Sequence, residues 1–440
     1  MAYVRPERLV NVDRHHEPAT PAACWHRNAG LRLQRGVMKP KHPLDEGLLR
    51  GQAARALFAP SQRSDVPPFM VMDVMEHAAR IEAAGGRVIH MEVGQPAASA
   101  PQTALKAAEA ALKGNRLGYT TTLGIPSLRA RIARYYRERH GIETDPARIV
   151  VTTGSSGGFI LAFLSLFEPG DRVAMASPGY PPYRNILRAL GCEPVEIEIS
   201  GNDRWAITKE ALLAEHRKKP LAGAIVASPA NPTGTMIPPE QLKELIAACE
   251  AEGIRFISDE IYHGLDYAFF GETAAKFSDN ALVINSFSKY FCMTGWRIGW
   301  MVVPEPLVRT VERLQQNLAI SVPTLSQVAA EAAFDGQAEM EAIKRDYEEN
   351  RRILIEGFPK AGLDDFLPAD GGFFLYANVA RFTNDSLDFA KRMLDEAGVA
   401  ATAGVDFDTA RGNHYLRFCY AGSPAEMHEA VQRIGGWLNR

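Results

Sequence analysis

Residues 222–260 read AGAIVASPANPTGTMIPPEQLKELIAACEAEGIRFISDE. Ala222 to Ala227 and Ile254 to Ser258 are short apolar runs of strand character, and Pro239 to Glu252 between them reads as a helix. A strand, a crossover helix and a second strand make a βαβ unit, whose strands lie parallel. The same alternation continues outward through Arg148 to Thr153, Arg172 to Ala176 and Ala281 to Asn285. The sequence therefore predicts an α/β fold with a mostly parallel sheet flanked by helices. Upstream, Met70 to Ala84 and Thr103 to Lys113 read as amphipathic helices, and Pro126 to His140 opens on a proline and closes before Gly141. Beyond Pro304 the pattern turns helical over Glu305 to Gln316 and Leu325 to Gly357, then gives short strands at Gly372 to Ala377 and His414 to Tyr420. That change of character marks a smaller α+β domain.

The chain has 440 residues, 46% hydrophobic and 23% charged, the balance of a folded protein with a sizeable core. Lysine and arginine total 49 against 52 acidic residues, a formal net charge of -3, so no overall field favours nucleic acid or a membrane surface. The longest apolar stretch, Phe159 to Phe167, falls well short of the ~18–20 residues that span a bilayer. Five scattered cysteines make no disulfide framework, and the expected location is cytoplasmic. No C-x-x-C and no pair of histidines four apart offers zinc ligands; His90 and Glu92 lack a third ligand and read as an ordinary strand end. Residues 1–55, rich in arginine and proline without an apolar period, read as a poorly ordered extension or a mis-assigned start, with Met38 as the alternative initiator.

In an open α/β sheet, ligands bind beyond the carboxyl ends of the strands. No P-loop or G-x-G-x-x-G fingerprint is present, so this sheet serves another ligand. Gly154-Ser155-Ser156-Gly157-Gly158 opens a helix after the first of these strands. It is either a phosphate cradle of backbone N–H groups and hydroxyls or a tight turn with an N-cap. Ser228-Pro229-Ala230-Asn231-Pro232-Thr233-Gly234 follows Ala227, and Asp259-Glu260-Ile261-Tyr262 follows Ser258. Asp259 is either a helix N-cap or a carboxylate paired with a cation. Ser286-Phe287-Ser288-Lys289 follows Asn285, with Met293-Thr294-Gly295-Trp296-Arg297 close behind. A lysine at a strand end among aromatic residues loses hydration, which lowers its pKa and makes it nucleophilic.

A phosphate cradle, an acid at a strand end, a lysine and a nearby arginine are the parts needed to hold pyridoxal 5'-phosphate as a lysine Schiff base. From about Pro67 onward the sequence resembles the fold-type I pyridoxal-phosphate-dependent aminotransferases, class I/II of the aspartate aminotransferase superfamily, and within them the gamma subgroup. The resemblance runs in order through Val93-Gly94-Gln95-Pro96, Gly118-Tyr119-Thr120, Thr153-Gly154-Ser155-Ser156, Ala230 to Gly234, Asp259 to Tyr262, Ser286 to Lys289 and Thr294 to Arg297. It implies a large cofactor-binding domain over 98–325, and a small domain assembled from 56–97 and 326–440.

The resemblance also implies roles. Lys289 is the Schiff-base lysine and proton shuttle. Asp259 pairs with the pyridine nitrogen and, beside that cation, is expected to have a depressed pKa. Asn231 and Tyr262 hydrogen-bond the phenolic oxygen, Ser155, Ser156, Ser286 and Arg297 clamp the phosphate, and Tyr180 stacks on the ring unless it is a core or turn tyrosine. Tyr119 reaches the phosphate of a neighbouring subunit, which makes a homodimer with shared sites. Arg417 binds the substrate α-carboxylate, with Arg411 as the rival, and Gly94 lets the backbone approach the substrate. The Asn231-Pro232 bond is expected to be cis. The function implied is transfer of an amino group from an L-amino acid to a 2-oxo acid, 2-oxoglutarate by family habit, in a ping-pong cycle. A carbon-sulfur lyase or decarboxylase on the same fold is the alternative, and the sensor domain of a transcription regulator a remote one. The side-chain specificity of the donor stays open.

Overall fold

In chain order the strands are β1 (Ile89–His90), β2 (Ile149–Thr152), β3 (Arg172–Ser177), β4 (Glu193–Glu198), β5 (Gly223–Ala227), β6 (Arg255–Asp259), β7 (Leu282–Ser286), β8 (Gly299–Val302), β9 (Phe374–Asn378), β10 (Val399–Ala400), β11 (Thr402–Ala403) and β12 (Tyr415–Cys419). The computed structural model describes residues 59–114 and 117–440, so the extension read over 1–55 lies outside the described residues. The chain divides between Pro60 and Ser61, and the following concerns the unit from Ser61 onward.

Seven strands form one sheet in the order β2-β8-β7-β6-β5-β3-β4. The neighbours from β7 through β6, β5 and β3 to β4 are parallel, whereas β8 is antiparallel to both β2 and β7. Six strands thus share one direction and β8 opposes them. Side chains alternate between two cores, one on each face. Val226, Phe256, Val283 and Trp300 point to one, while Ile225, Ile257, Ile284 and Met301 point to the other. Burial on both faces explains why these strands read as unbroken apolar runs. Each such side chain contributes ~1.5–3 kcal/mol of burial.

Two smaller sheets complete the architecture. One has the order β11-β12-β9, and the other pairs β1 with β10 in parallel, Ile89 opposite Val399. Most strands expected from sequence lie within one or two residues of those observed, but β4, β8, β10 and β11 were not anticipated. The helix read over Leu325 to Gly357 is two helices, Thr324–Ala333 and Gln337–Ala361, parted by a short turn at Phe334–Gly336. The turn packs closely against Pro101, 2.5 Å from where a Cβ on Gly336 would lie.

The reversal of β8 matters most for the site. Parallel strands deliver their carboxyl ends to one edge of the sheet, and an antiparallel strand delivers its entry to that same edge. Arg297, just before β8, is therefore brought beside Asp259 and Lys289, although it precedes its strand and they end or follow theirs.

Candidate active site

The carboxyl edge opens on a cleft of about 240 Å³. It is lined by Ser155 and Ser156 after β2, Tyr180 and Tyr183 after β3, Asn231 after β5, Asp259 at the end of β6, Tyr262 beyond it, Ser288 and Lys289 after β7, and Arg297 before β8. Gly94 and Arg417 reach it from the residues around the smaller sheets, and Phe69, Val71, Met72 and Val93 supply an apolar flank.

One end of the cleft is built for an anion. Gly154 begins the helix Gly154–Leu166 at φ +70°, and a Cβ there would lie 2.5 Å from Arg297 Nη2. The guanidinium thus rests on the first turn of the helix, where unpaired N–H groups already favour negative charge. Arg297 is itself left-handed, at φ 49°, and its Nη1 donates to the Thr294 carbonyl at 3.0 Å. The hydroxyl-bearing residues here are Ser155, Ser156, Ser288 and Thr294. Ser286 does not line the cleft; its Oγ is 2.9 Å from Ser288 Oγ and 3.1 Å from the Ile298 carbonyl. Gly154→Ala should cost ~1–2 kcal/mol from its backbone conformation alone. By displacing Arg297 it should also weaken retention of an anionic cofactor at least about tenfold, the equivalent of one charge-assisted hydrogen bond. Thermal melting and cofactor dissociation measure the two effects separately.

At the centre stand Lys289 and Asp259. Lys289 Nζ donates to the Gly94 carbonyl and lies 5.8 Å from the centre of the Tyr262 ring. Burial brings its pKa down to about 8, with the Arg417 and Arg297 charges acting in the same direction. Asp259 accepts from the Tyr183 hydroxyl and, at 3.1 Å, from the Ile261 N–H. In the protein alone, burial pushes Asp259 up to about 6 against the lowering effect of these bonds and of Lys289, whereas the expected depression belongs to the site with the cofactor's cation beside it. The protein alone places no cation close enough to reverse the cost of burying that charge.

Arg417 is fully buried and its guanidinium lies between the rings of Phe374 and Phe407, 4.5 and 4.7 Å from their centres. Nη1 donates to Asn231 Oδ1 at 2.9 Å, whereas Nε is buried without a partner. A Cβ on Gly94 would meet the Phe374 ring at 2.6 Å, so the glycine allows the chain to pass there. The rival Arg411 is engaged elsewhere, with Asp408 and the Ser177 and Ile199 carbonyls, and does not line the cleft. Tyr119 does not line it either and is 82% exposed. The Asn231-Pro232 bond is cis, as the resemblance implies. His90 forms ion pairs with Glu92 at 2.8 Å and Glu82 at 3.1 Å, and the hydrogen bond it donates to Glu92 raises its pKa to about 9. Among the described residues no group of three or more His, Cys, Asp or Glu could hold a metal ion, and no helix is long and apolar enough to cross a membrane.

The sequence reading missed Tyr183, Ser288, Thr294 and the segment 69–72. Tyr183 had a signal, because it stands three residues after Tyr180, on the first turn of the helix Pro181–Ala189 and hence near the same strand end.

A buried amine, a carboxylate and an anion seat on the carboxyl edge of such a sheet define a fold-type I enzyme. Residues 87–434 match the family described as Aminotransferase class I and II. The chain belongs to that family, whose members depend on pyridoxal phosphate, and it is an aminotransferase. It is 51% identical to a valine–pyruvate aminotransferase of Mycobacterium tuberculosis, over 86% of this chain and 97% of the relative. It is 34% identical to a (5-formylfuran-3-yl)methyl phosphate transaminase of Methanocaldococcus jannaschii, over 84% and 97%. Among solved structures, an aminotransferase from Mycobacterium tuberculosis superimposes with a TM-score of 0.84 at 50% identity, covering 86% of this chain and 99% of the other.

Proposed function

We propose that this enzyme transfers the amino group of a small aliphatic L-amino acid, valine or a close homologue, to pyruvate, using pyridoxal 5'-phosphate. One observation carries the substrate choice. The cations that line the cleft are Lys289, Arg297 and Arg417, among the described residues, and the cleft also carries the apolar set Phe69, Val71, Met72 and Val93. Lys289 does chemistry, Arg297 sits at the anion seat and Arg417 serves the α-carboxylate, so no cation of this set remains for a second carboxylate. Pyruvate, with one carboxylate, suits that inventory better than the 2-oxoglutarate expected from family habit. The name of the 51% identical relative supports the same pair.

The residues fit the cofactor. Gly154 leaves the space in which Arg297 meets the helix N-terminus, as a phosphate requires. When bound, pyridoxal phosphate supplies an electron sink for the pair of electrons left at the substrate α-carbon. Lys289, its pKa lowered toward neutrality, is the base that removes the α-proton and returns one to the oxo-acid partner. Asp259, held by Tyr183 and the Ile261 N–H, provides a fixed negative charge for the ring nitrogen. Tyr262 and Asn231 line the same cleft and serve the phenolic oxygen, and Tyr180, also lining it, covers the ring. The exposed Tyr119 supports a homodimer in which each subunit completes the other's phosphate seat.

The test is a donor and acceptor panel. Valine with pyruvate should exceed aspartate with 2-oxoglutarate by at least about tenfold in kcat/KM, the factor that one unpaired charge of ~1.4 kcal/mol or more gives. Equal or better use of the dicarboxylic pair would overturn the substrate assignment.

A further inference from the structure

Arg417 is held by more than its strand, and the holding group is Thr402. The two residues are directly opposite in the antiparallel pairing of β11 with β12. Their side chains therefore lie on one face of that small sheet. Thr402 Oγ1 donates to the Glu92 carbonyl at 2.8 Å, which leaves its lone pairs for Arg417 Nη2 at 3.1 Å. Nη2 also donates to the same Glu92 carbonyl. That carbonyl is itself fixed, because Met91 before it donates to Ala400 and accepts from the Cys419 N–H at 2.7 Å. Both hydrogens of Nη2 are thus consumed within the protein, and one hydrogen of Nη1 goes to Asn231. Nε–H and the second Nη1 hydrogen remain, and the rings of Phe374 and Phe407 fix the plane in which they point.

We infer that Thr402, itself fully buried, is a positioning residue that sets the rotation of the Arg417 guanidinium and so selects substrates that carry a carboxylate. The inference rests on the proposed role of Arg417 in binding the α-carboxylate. Threonine is required for its hydroxyl, since valine has the same shape and offers no acceptor to Nη2. Without it, Nη2 keeps one buried hydrogen unpaired, and the guanidinium can turn within its ring sandwich to satisfy it.

The experiment compares Thr402→Val, Thr402→Ser and Arg417→Ala in the holoenzyme, with valine and with isobutylamine, its analogue lacking the carboxylate, in the single half-reaction that consumes the donor. Thr402→Val should raise KM for valine about tenfold, the size of one charge-assisted hydrogen bond, with kcat changed less than about twofold. The rate with isobutylamine should not change, and Thr402→Ser should restore the valine KM. Equal losses with both donors, or an unchanged KM for valine, would overturn the role of Thr402. If Arg417→Ala leaves the valine KM unchanged, the carboxylate assignment of Arg417 fails instead. Followed in parallel, cofactor dissociation should stay at the wild-type value in Thr402→Val and Thr402→Ser, whereas Thr402→Val should melt lower, as the loss of buried hydrogen bonds requires, and Thr402→Ser should melt near wild type; weakened cofactor retention in Thr402→Val would mark a structural effect and overturn the positioning role.

Discussion

Lys289→Ala should lose at least about 10³-fold in turnover, because removing a positioned acid-base group alone costs ~10²–10⁴ and this residue also anchors the cofactor. The purified variant should lack the near-visible absorbance of covalently held pyridoxal phosphate, yet still retain the cofactor through the Arg297 seat at reduced affinity. Retention of that band would remove Lys289 from its role. The pH dependence gives a second check. Burial has lowered the Lys289 pKa from 10.5 to about 8. In the cofactor-free protein the neutral, reactive amine should therefore appear with a midpoint near pH 8. Capture of added pyridoxal phosphate as a function of pH measures that midpoint, and a value near that of a free lysine would show that the amine is hydrated rather than buried. The sign is fixed first by burial, with the Arg417 and Arg297 charges acting in the same direction, and the opposing effects of Cys419 and Asp259 offset these only in part.

Much of this site was legible because the chemistry lies where strands end. Asn231, Asp259 and Lys289 each fall within a few residues of a strand that its apolar run identifies, so their convergence follows from parallel topology alone. Arg417 over Arg411 was also legible, since only the former lies within a strand-like run. What could not be read were relations across sequence distance. The Tyr183 hydroxyl meets Asp259 only because β5 lies between β3 and β6, an order that no local pattern encodes. The reversed strand β8 was hidden in a short segment, Gly299–Val302, too brief to carry its direction. Thr402 gains its place from a cross-strand register. The depressed pKa expected of Asp259 belongs to the site with a cofactor's cation beside it, whereas in the chain itself burial outweighs two hydrogen bonds and the Lys289 charge.

That difference makes Asp259→Asn the most discriminating substitution, because its effects on stability and on catalysis should have opposite signs. In the cofactor-free protein the Asp259 pKa is raised from 3.8 to about 6. A carboxyl whose folded pKa lies above its unfolded value binds its proton more tightly in the native state. Stability from this group is therefore present below about pH 4, falls as pH rises through about 6, and stays reduced above that. The reduction is roughly 3 kcal/mol at about 1.36 kcal/mol per pH unit. Asparagine cannot ionise, and its amide can still meet the Ile261 N–H and the Tyr183 oxygen. The cofactor-free variant should thus melt higher than wild type at pH 8 and no higher at pH 4. Loaded with pyridoxal phosphate, the same variant should lose at least about 10²-fold in turnover, since a neutral amide gives the ring nitrogen no fixed negative charge in a site that excludes water. The order of stabilities should also reverse on loading: the cofactor's cation restores a partner to Asp259 in the wild type and not to asparagine. Melting curves of both proteins at the two pH values, with and without cofactor, together with single-turnover rates, test each sign. A variant that is destabilised at pH 8 without cofactor would show that Asp259 is ionised and satisfied in the empty protein, and the account of its buried charge would then be wrong.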